Sequence, residues 1–169
     1  MVFDCMISNA ADPVLNSSDV YVVKQVVDCK TLKLSNSKKV RLIGVECSEG
    51  AQEFVEGNVS LGGSSKDGHK VRLEFDRQQK DQDGSLLAYV YIICPTQLSD
   101  TSVLEFPVNH SEKPIKGTMF YEIFLNAKII EQGFAQPLVT PPNLKYSEFF
   151  QKLYQEAKEK KVGLWKGSP

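Results

Sequence analysis

Five strand-like segments followed by helical segments, with no alternation of strand and helix, predict an α+β domain built on a small β-barrel. The 169 residues suffice for one domain with a sizeable core and are few for two. Hydrophobic residues make up 41% and charged residues 24%, the balance of a soluble globular protein. We divide the chain into an N-terminal arm, residues 1–19, and a single barrel domain, 20–166, with an insertion at 94–119.

Val20 to Cys29 is rich in β-branched residues and reads as the first strand. Thr31 to Leu34 alternates, Ser35-Asn36-Ser37 is turn-like, and Val40 to Val45 is again strand. The short connections imply an antiparallel meander. Ala51 to Leu61 reads as a short helix weakened by Gly57. Lys70 to Phe75 alternates Val71, Leu73 and Phe75 with charged residues, the pattern of a half-buried strand. Asp81-Gln82-Asp83-Gly84 is a turn. Leu86 to Ile93 is apolar on both faces, hence a central or buried strand.

Cys94 to Met119 is a long connection broken by Pro95, Pro107, Pro114 and Gly117, with at most one short strand near Val103 to Phe106. It is either an elaborated hairpin or a functional loop. Asn126 then reads as the cap of a helix, Leu125 and Ile130 as its hydrophobic staple, and Gly133 as its stop. A last helix, about Lys145 to Lys160, carries Phe149, Phe150, Leu153, Tyr154 and Ala157 at helical spacing. Its end is assigned to Gly163, with Leu164 and Trp165 as an apolar anchor. The strand count suits a five-stranded barrel of the oligonucleotide-binding type with about three helices.

A net charge of −1 argues against a polycation that coats nucleic acid. The distribution is uneven. Tyr21 to Val45 holds six basic residues, Lys24, Lys30, Lys33, Lys38, Lys39 and Arg41, against one acid, Asp28. Glu46 to Glu112 holds twelve acids and five bases. Two readings are open: scattered solvated charge, or one basic face on an acidic body. Cys5, Cys29, Cys47 and Cys94 form no CxxC, and His69 and His110 lie far apart, so a structural zinc site is not expected. No apolar run approaches the ~20 residues of a membrane span. Met1 to Ala10 lacks the basic start and apolar stretch of a signal peptide, which leaves localisation open.

The run VVDCKTLKLSNSKKVRLIGVECSE, Val26 to Glu49, resembles the opening of the staphylococcal nuclease family. There an Asp-Gly-Asp-Thr turn precedes Arg-Leu-(any)-Gly-(any)-Asp-Thr-Pro-Glu. VRLEFD at Val71 to Asp76, DGSLLAYVY at Asp83 to Tyr91 and LNAKIIEQGFA at Leu125 to Ala135 resemble later family segments. PPNLKYSEFFQKLYQEAKEKKVGLW at Pro141 to Trp165 resembles the closing helix and tryptophan. The resemblance covers roughly residues 20–165 outside the insertion. It implies an oligonucleotide-binding barrel, calcium-dependent hydrolysis of DNA and RNA phosphodiesters, and a family often secreted.

In that chemistry a carboxylate-held metal neutralises phosphate charge, a glutamate acts on the attacking water, and two arginines steady the transition state. The resemblance places Arg41 at the first arginine and Glu49 at the general base. Glu46 falls at a metal-binding aspartate and is the candidate metal ligand. Asp28 matches the first aspartate of the turn. Lys30 stands where the family has a second, metal-binding aspartate, and Ser85 where it has the second arginine. Calcium is therefore expected to bind weakly or not at all.

Three functions follow as candidates. One is an impaired or inactive nuclease-like domain that keeps nucleic-acid or phosphate binding through Lys30, Lys33, Lys39 and Arg41, with single-stranded nucleic acid as partner. Another is a protein-interaction scaffold with 94–119 as its contact surface, and the third is an active nuclease with a rearranged site. Cys29 and Cys47 flank ligand positions in the resemblance. They are either a disulfide that pins the two segments or two separate thiols, one option being a softer-metal site.

Overall fold

The computed structural model describes residues 20–61, 69–95, 112–114 and 120–167. The proposed arm, the short strand near Val103 to Phe106 and most of the insertion lie outside the described residues.

Five strands close the barrel: β1 (Val20–Asp28), β2 (Thr31–Leu34), β3 (Lys39–Leu42), β5 (His69–Glu74) and β6 (Leu86–Pro95). They run in the order β3-β2-β1-β5-β6, and a parallel contact of β3 with β6 joins the ends. Closure leaves no free edge among these five, the arrangement that answers the edge-strand problem. Alternation dictates the interior. Leu32, Leu34, Val40, Leu42, Val71 and Leu73 point inward and are buried, while Lys33 and Lys39 stand outside. β6 is buried on both faces, as its sequence implies, because α2 (Leu125–Glu131) packs against it from outside the barrel.

Val40 to Val45 does not continue as one strand. The chain bends at Gly44, whose φ is +79°, and restarts as β4 (Val45–Cys47), which pairs with β9 (Ala135–Pro137). A Cβ on Gly44 would lie 2.7 Å from the Phe150 ring, so both the left-handed backbone and the close approach require glycine. On either side of the Cys94 to Met119 connection β6 pairs antiparallel with β8 (Phe120–Phe124), and β7 (Glu112–Pro114), which comes from within it, pairs with the other edge of β8. β8 was not legible in the sequence.

α1 is Ala51–Leu61, and Ala51, Val55 and Val59 bury one stripe against the barrel. Gly57 is tolerated on its exposed face. Asn126 does not cap α2. Phe124 holds the cap position, and Asn126 is fully buried inside the helix. Its Nδ2 donates to the Ile43 carbonyl at 2.8 Å and its Oδ1 accepts from Val90 N–H at 2.9 Å. α3 is Ser147–Glu159. Its left-handed terminator is Lys161 at φ +50°, not Gly163, and Val162 N–H closes the end on the Ala157 carbonyl at 3.2 Å. The anchor is Trp165 alone, edge-on to Tyr154 at 5.5 Å; Leu164 is exposed.

Candidate functional site at the β1–β2 turn

Three segments meet beside the closing seam of the barrel: the turn between β1 and β2, the end of β3 with β4, and the turn at 81–85. In the first turn Lys30 N–H donates to Asp28 Oδ1 at 2.9 Å, so the Asp28 carboxylate holds its own turn. Leu42 N–H donates to the Lys30 carbonyl at 2.8 Å and fixes that turn against β3. Beyond the bend, β4 brings back Glu46 and Cys47.

Two cross-links tie the first turn to β4. Cys29 and Cys47 form a disulfide with Cα atoms 6.3 Å apart, within the range a bridge spans. One residue inward, Lys30 Nζ pairs with Glu46 Oε2 at 3.2 Å. The two-thiol reading and the softer-metal site it left open are thereby overturned for this pair. Both ion-pair side chains are partly exposed, so the pair contributes ~1 kcal/mol or less to stability. Its consequence is chemical: an ammonium sits against the Glu46 carboxylate.

Arg41 extends outward from β3 and its Nη1 donates to Asp81 Oδ2 at 3.2 Å. The Arg41 side chain is 41% exposed and that of Asp81 15%. The other Asp81 oxygen accepts the Asp83 and Ser85 amides, each at 2.9 Å. Asp81 was missed as a site residue. Its signal was its place four residues before Ser85, in a turn read only as a turn.

Lys30, Arg41, Gly44, Asp81 and Leu138 line a cleft of about 400 Å³. Glu46 and Glu49 are not among its lining residues. Ser48 Oγ donates to the Phe134 carbonyl, as does the Ser48 amide, so the chain beyond β4 is drawn toward that loop. Glu49 follows on the surface, just before α1. Lys33 and Lys39 lie opposite one another on the exposed face of β2 and β3, away from the cleft walls. Ser85 borders a different groove, on the outer side of Arg41.

Calcium takes 6–8 oxygen ligands, several of them carboxylate. Among the described residues no group of three or more His, Cys, Asp or Glu side chains could hold a metal ion. Lys30 Nζ lies against Glu46, and Asp28 Oδ1 accepts the amide of its own turn. An ammonium ~4 Å from a divalent cation is unfavourable by several kcal/mol at an effective dielectric near 20.

The closed five-stranded barrel with its three α-helices is an α+β fold of the oligonucleotide-binding type. The family model described as staphylococcal nuclease homologue matches residues 39–167, and the chain belongs to that family. It is 29% identical over 163 residues to the thermonuclease of Staphylococcus intermedius, covering 89% of this chain and 80% of that protein. To the thermonuclease of Staphylococcus hyicus it is 26% identical over 162 residues, 88% of this chain and 77% of that one.

Proposed function

We propose that this domain has impaired phosphodiester hydrolysis and retains binding of phosphate in single-stranded nucleic acid. The observation that carries the reading is the Lys30–Glu46 ion pair at 3.2 Å, at positions where the resemblance puts two metal-binding carboxylates. Arg41 is the phosphate ligand. Its planar fork has five N–H donors, of which Nη1 is engaged by Asp81, and the partly exposed side chain borders the cleft. Lys30 borders the same cleft and adds positive charge there. Ser85 offers no second guanidinium, and loss of such a donor lowers a rate ~10²-fold or more. A rearranged site using Glu46 and Glu49 is disfavoured, because Glu46 is bound by Lys30 and neither acid lines the cleft.

Plasmid nicking with calcium, magnesium or manganese tests the reading. The unmodified protein is expected near background. Lys30→Asp combined with Ser85→Arg is expected to raise calcium-dependent cleavage, since it restores a carboxylate and a phosphate donor. Efficient nicking by the unmodified chain would overturn the proposal. A folded double variant with no gain would show that Glu49 and the cleft are also out of place.

A further inference from the structure

Arg41 borders two hollows. Besides the cleft, it lines a groove of about 560 Å³ on the outer face of β2 and β3, together with Val27, Thr31, Lys38, Lys39 and Ser85. We propose that this groove is a second phosphate subsite, which takes the extended backbone of a single-stranded polynucleotide next to the phosphate held at Arg41. The inference rests on the reading of Arg41 above and assigns the strand's path beyond it.

Position supports the assignment. Lys39 and Arg41 are two residues apart on β3 and share its outer face. Strand geometry sets their Cα atoms about 7 Å apart, close to the step between successive phosphates of an extended strand. Thr31 is the cross-strand partner of Arg41, which puts it on the floor between the two strands.

Charge supports it independently. Lys33 and Lys39 are directly paired across β2 and β3, both exposed. Like charges in that position destabilise a sheet. Among the described residues neither lysine has an ion pair, nor does Lys38 beside them. Two of these ammonium groups, Lys38 and Lys39, therefore line the groove that the Arg41 side chain also borders, with Lys33 on the neighbouring strand.

Two acids also border the groove. Asp28 accepts the Lys30 amide, and Asp83 belongs to the 81–85 turn. They confine an anionic strand to the β3 side. The short Ser85 side chain leaves the groove open where the resemblance would place an arginine. Among the described residues no aromatic side chain lines it, so these residues offer no base stacking and recognition is by backbone charge. Affinity should then depend on strand length and salt and little on base identity.

The test is fluorescence anisotropy at low ionic strength with labelled thymidine trinucleotide and dodecanucleotide, on the whole chain and on Lys39→Glu, Lys38→Glu, Arg41→Ala and a control, Lys166→Glu. The dodecanucleotide is expected to bind more tightly than the trinucleotide. Lys39→Glu should weaken the longer ligand about tenfold and lower its log affinity–log salt slope by about 0.7, one contact's share. It should leave the trinucleotide within about twofold, with Lys38→Glu acting in the same direction. If Lys39→Glu and Lys38→Glu behave as the control while Arg41→Ala abolishes binding, the second subsite is wrong and the Arg41 reading stands. Absence of salt-sensitive binding to either oligonucleotide by the unmodified protein sinks both. Equal affinity for a sulfated polysaccharide would overturn the assignment to a polynucleotide.

Discussion

Four neighbouring residues make two rungs between the β1–β2 turn and β4: Cys29 with Cys47, and Lys30 with Glu46. A covalent bond and an ion pair thus hold these two segments together. The disulfide closes a loop of sequence separation 18, which on the chain-entropy model contributes ~3 kcal/mol by restricting the unfolded chain. Cys29→Ser with Cys47→Ser should lower the unfolding free energy by about that amount, read by urea denaturation with and without reductant. An unmodified protein that is insensitive to reductant and matches the double variant would show that the bridge does not form in solution. The bridge was one of two readings open from sequence, because motif positions place the cysteines in the same region without giving their separation. Asp81 was less legible. Its contact with Arg41 depends on the parallel seam that sets Arg41 opposite Leu87, a pairing across which local pattern carries no information. Glu49 shows the reverse: the motif names it, yet the Ser48 link to Phe134 accompanies its place on the surface outside the cleft.

Asn126 marks what pattern reading gets wrong at the level of an element. A short polar side chain before an apolar helical run looks like a cap. Its role is set instead by two backbone groups that regular pairing leaves over: the Ile43 carbonyl at the β3–β4 bend and the Val90 amide on β6. One buried amide satisfies both and so holds α2, the bend and the barrel wall together. Asn126→Leu should leave a buried donor and a buried acceptor unpaired, at about 1–3 kcal/mol each. Urea unfolding should show a midpoint lowered accordingly with little change in slope; a total loss below ~1 kcal/mol would mean that water or another group replaces the side chain. The strands that were legible, β2, β3 and β5, are half-buried, and alternation records which face is inside. β4 and β9 have three residues each, too few to alternate, and β8, five residues between a long proline-rich connection and α2, was left unassigned. Helix extents were read to within a turn because an amphipathic stripe accumulates over many residues. The α3 terminus was misplaced because the left-handed position is held by Lys161, with a glycine two residues later as decoy.

Across the whole molecule, barrel and C-terminal helix are joined by a polar network whose members do not line the cleft. Arg72 grips buried Glu122 with Nε and Nη2 at 2.6 and 2.9 Å and lies over the Tyr91 ring at 3.9 Å, linking β5 to β8 across β6. Burial of Arg72 opposes its charge, but the bonds and field of Glu122 prevail and its pKa is raised. The Tyr91 and Tyr146 hydroxyls each contact the Glu74 carboxylate, at 3.1 and 3.0 Å, and Lys145 Nζ closes on the same group at 2.5 Å. Tyr89 donates to Asp76 at 3.0 Å. Tyr89 and Tyr91 are 1% and 9% exposed; burial first, then the bond to Asp76 for Tyr89 and the bond Tyr91 donates to the Tyr146 hydroxyl with the field of Glu74 for Tyr91, pushes both phenols well above their ordinary pKa. Tyr146 moves the same way, chiefly through burial, and Lys145 rises through its bond to Glu74. The sign is common to all four groups: each folded pKa exceeds its unfolded value. Their stabilisation is complete below pH ~10 and is lost as pH climbs from there toward the folded values, because the unfolded chain releases protons that the native one retains. Each proton so retained tilts the unfolding free energy by about 1.4 kcal/mol per pH unit. Guanidinium unfolding between pH 8 and 11.5 should therefore show stability flat to about pH 10 and falling steeply beyond it. Tyr91→Phe removes one retained proton and should make that fall shallower by about one proton's slope, while lowering the plateau through the lost contact to Glu74. An unchanged alkaline slope in Tyr91→Phe would mean that its phenol ionises equally in folded and unfolded chains, and that the Glu74 network does not hold in solution.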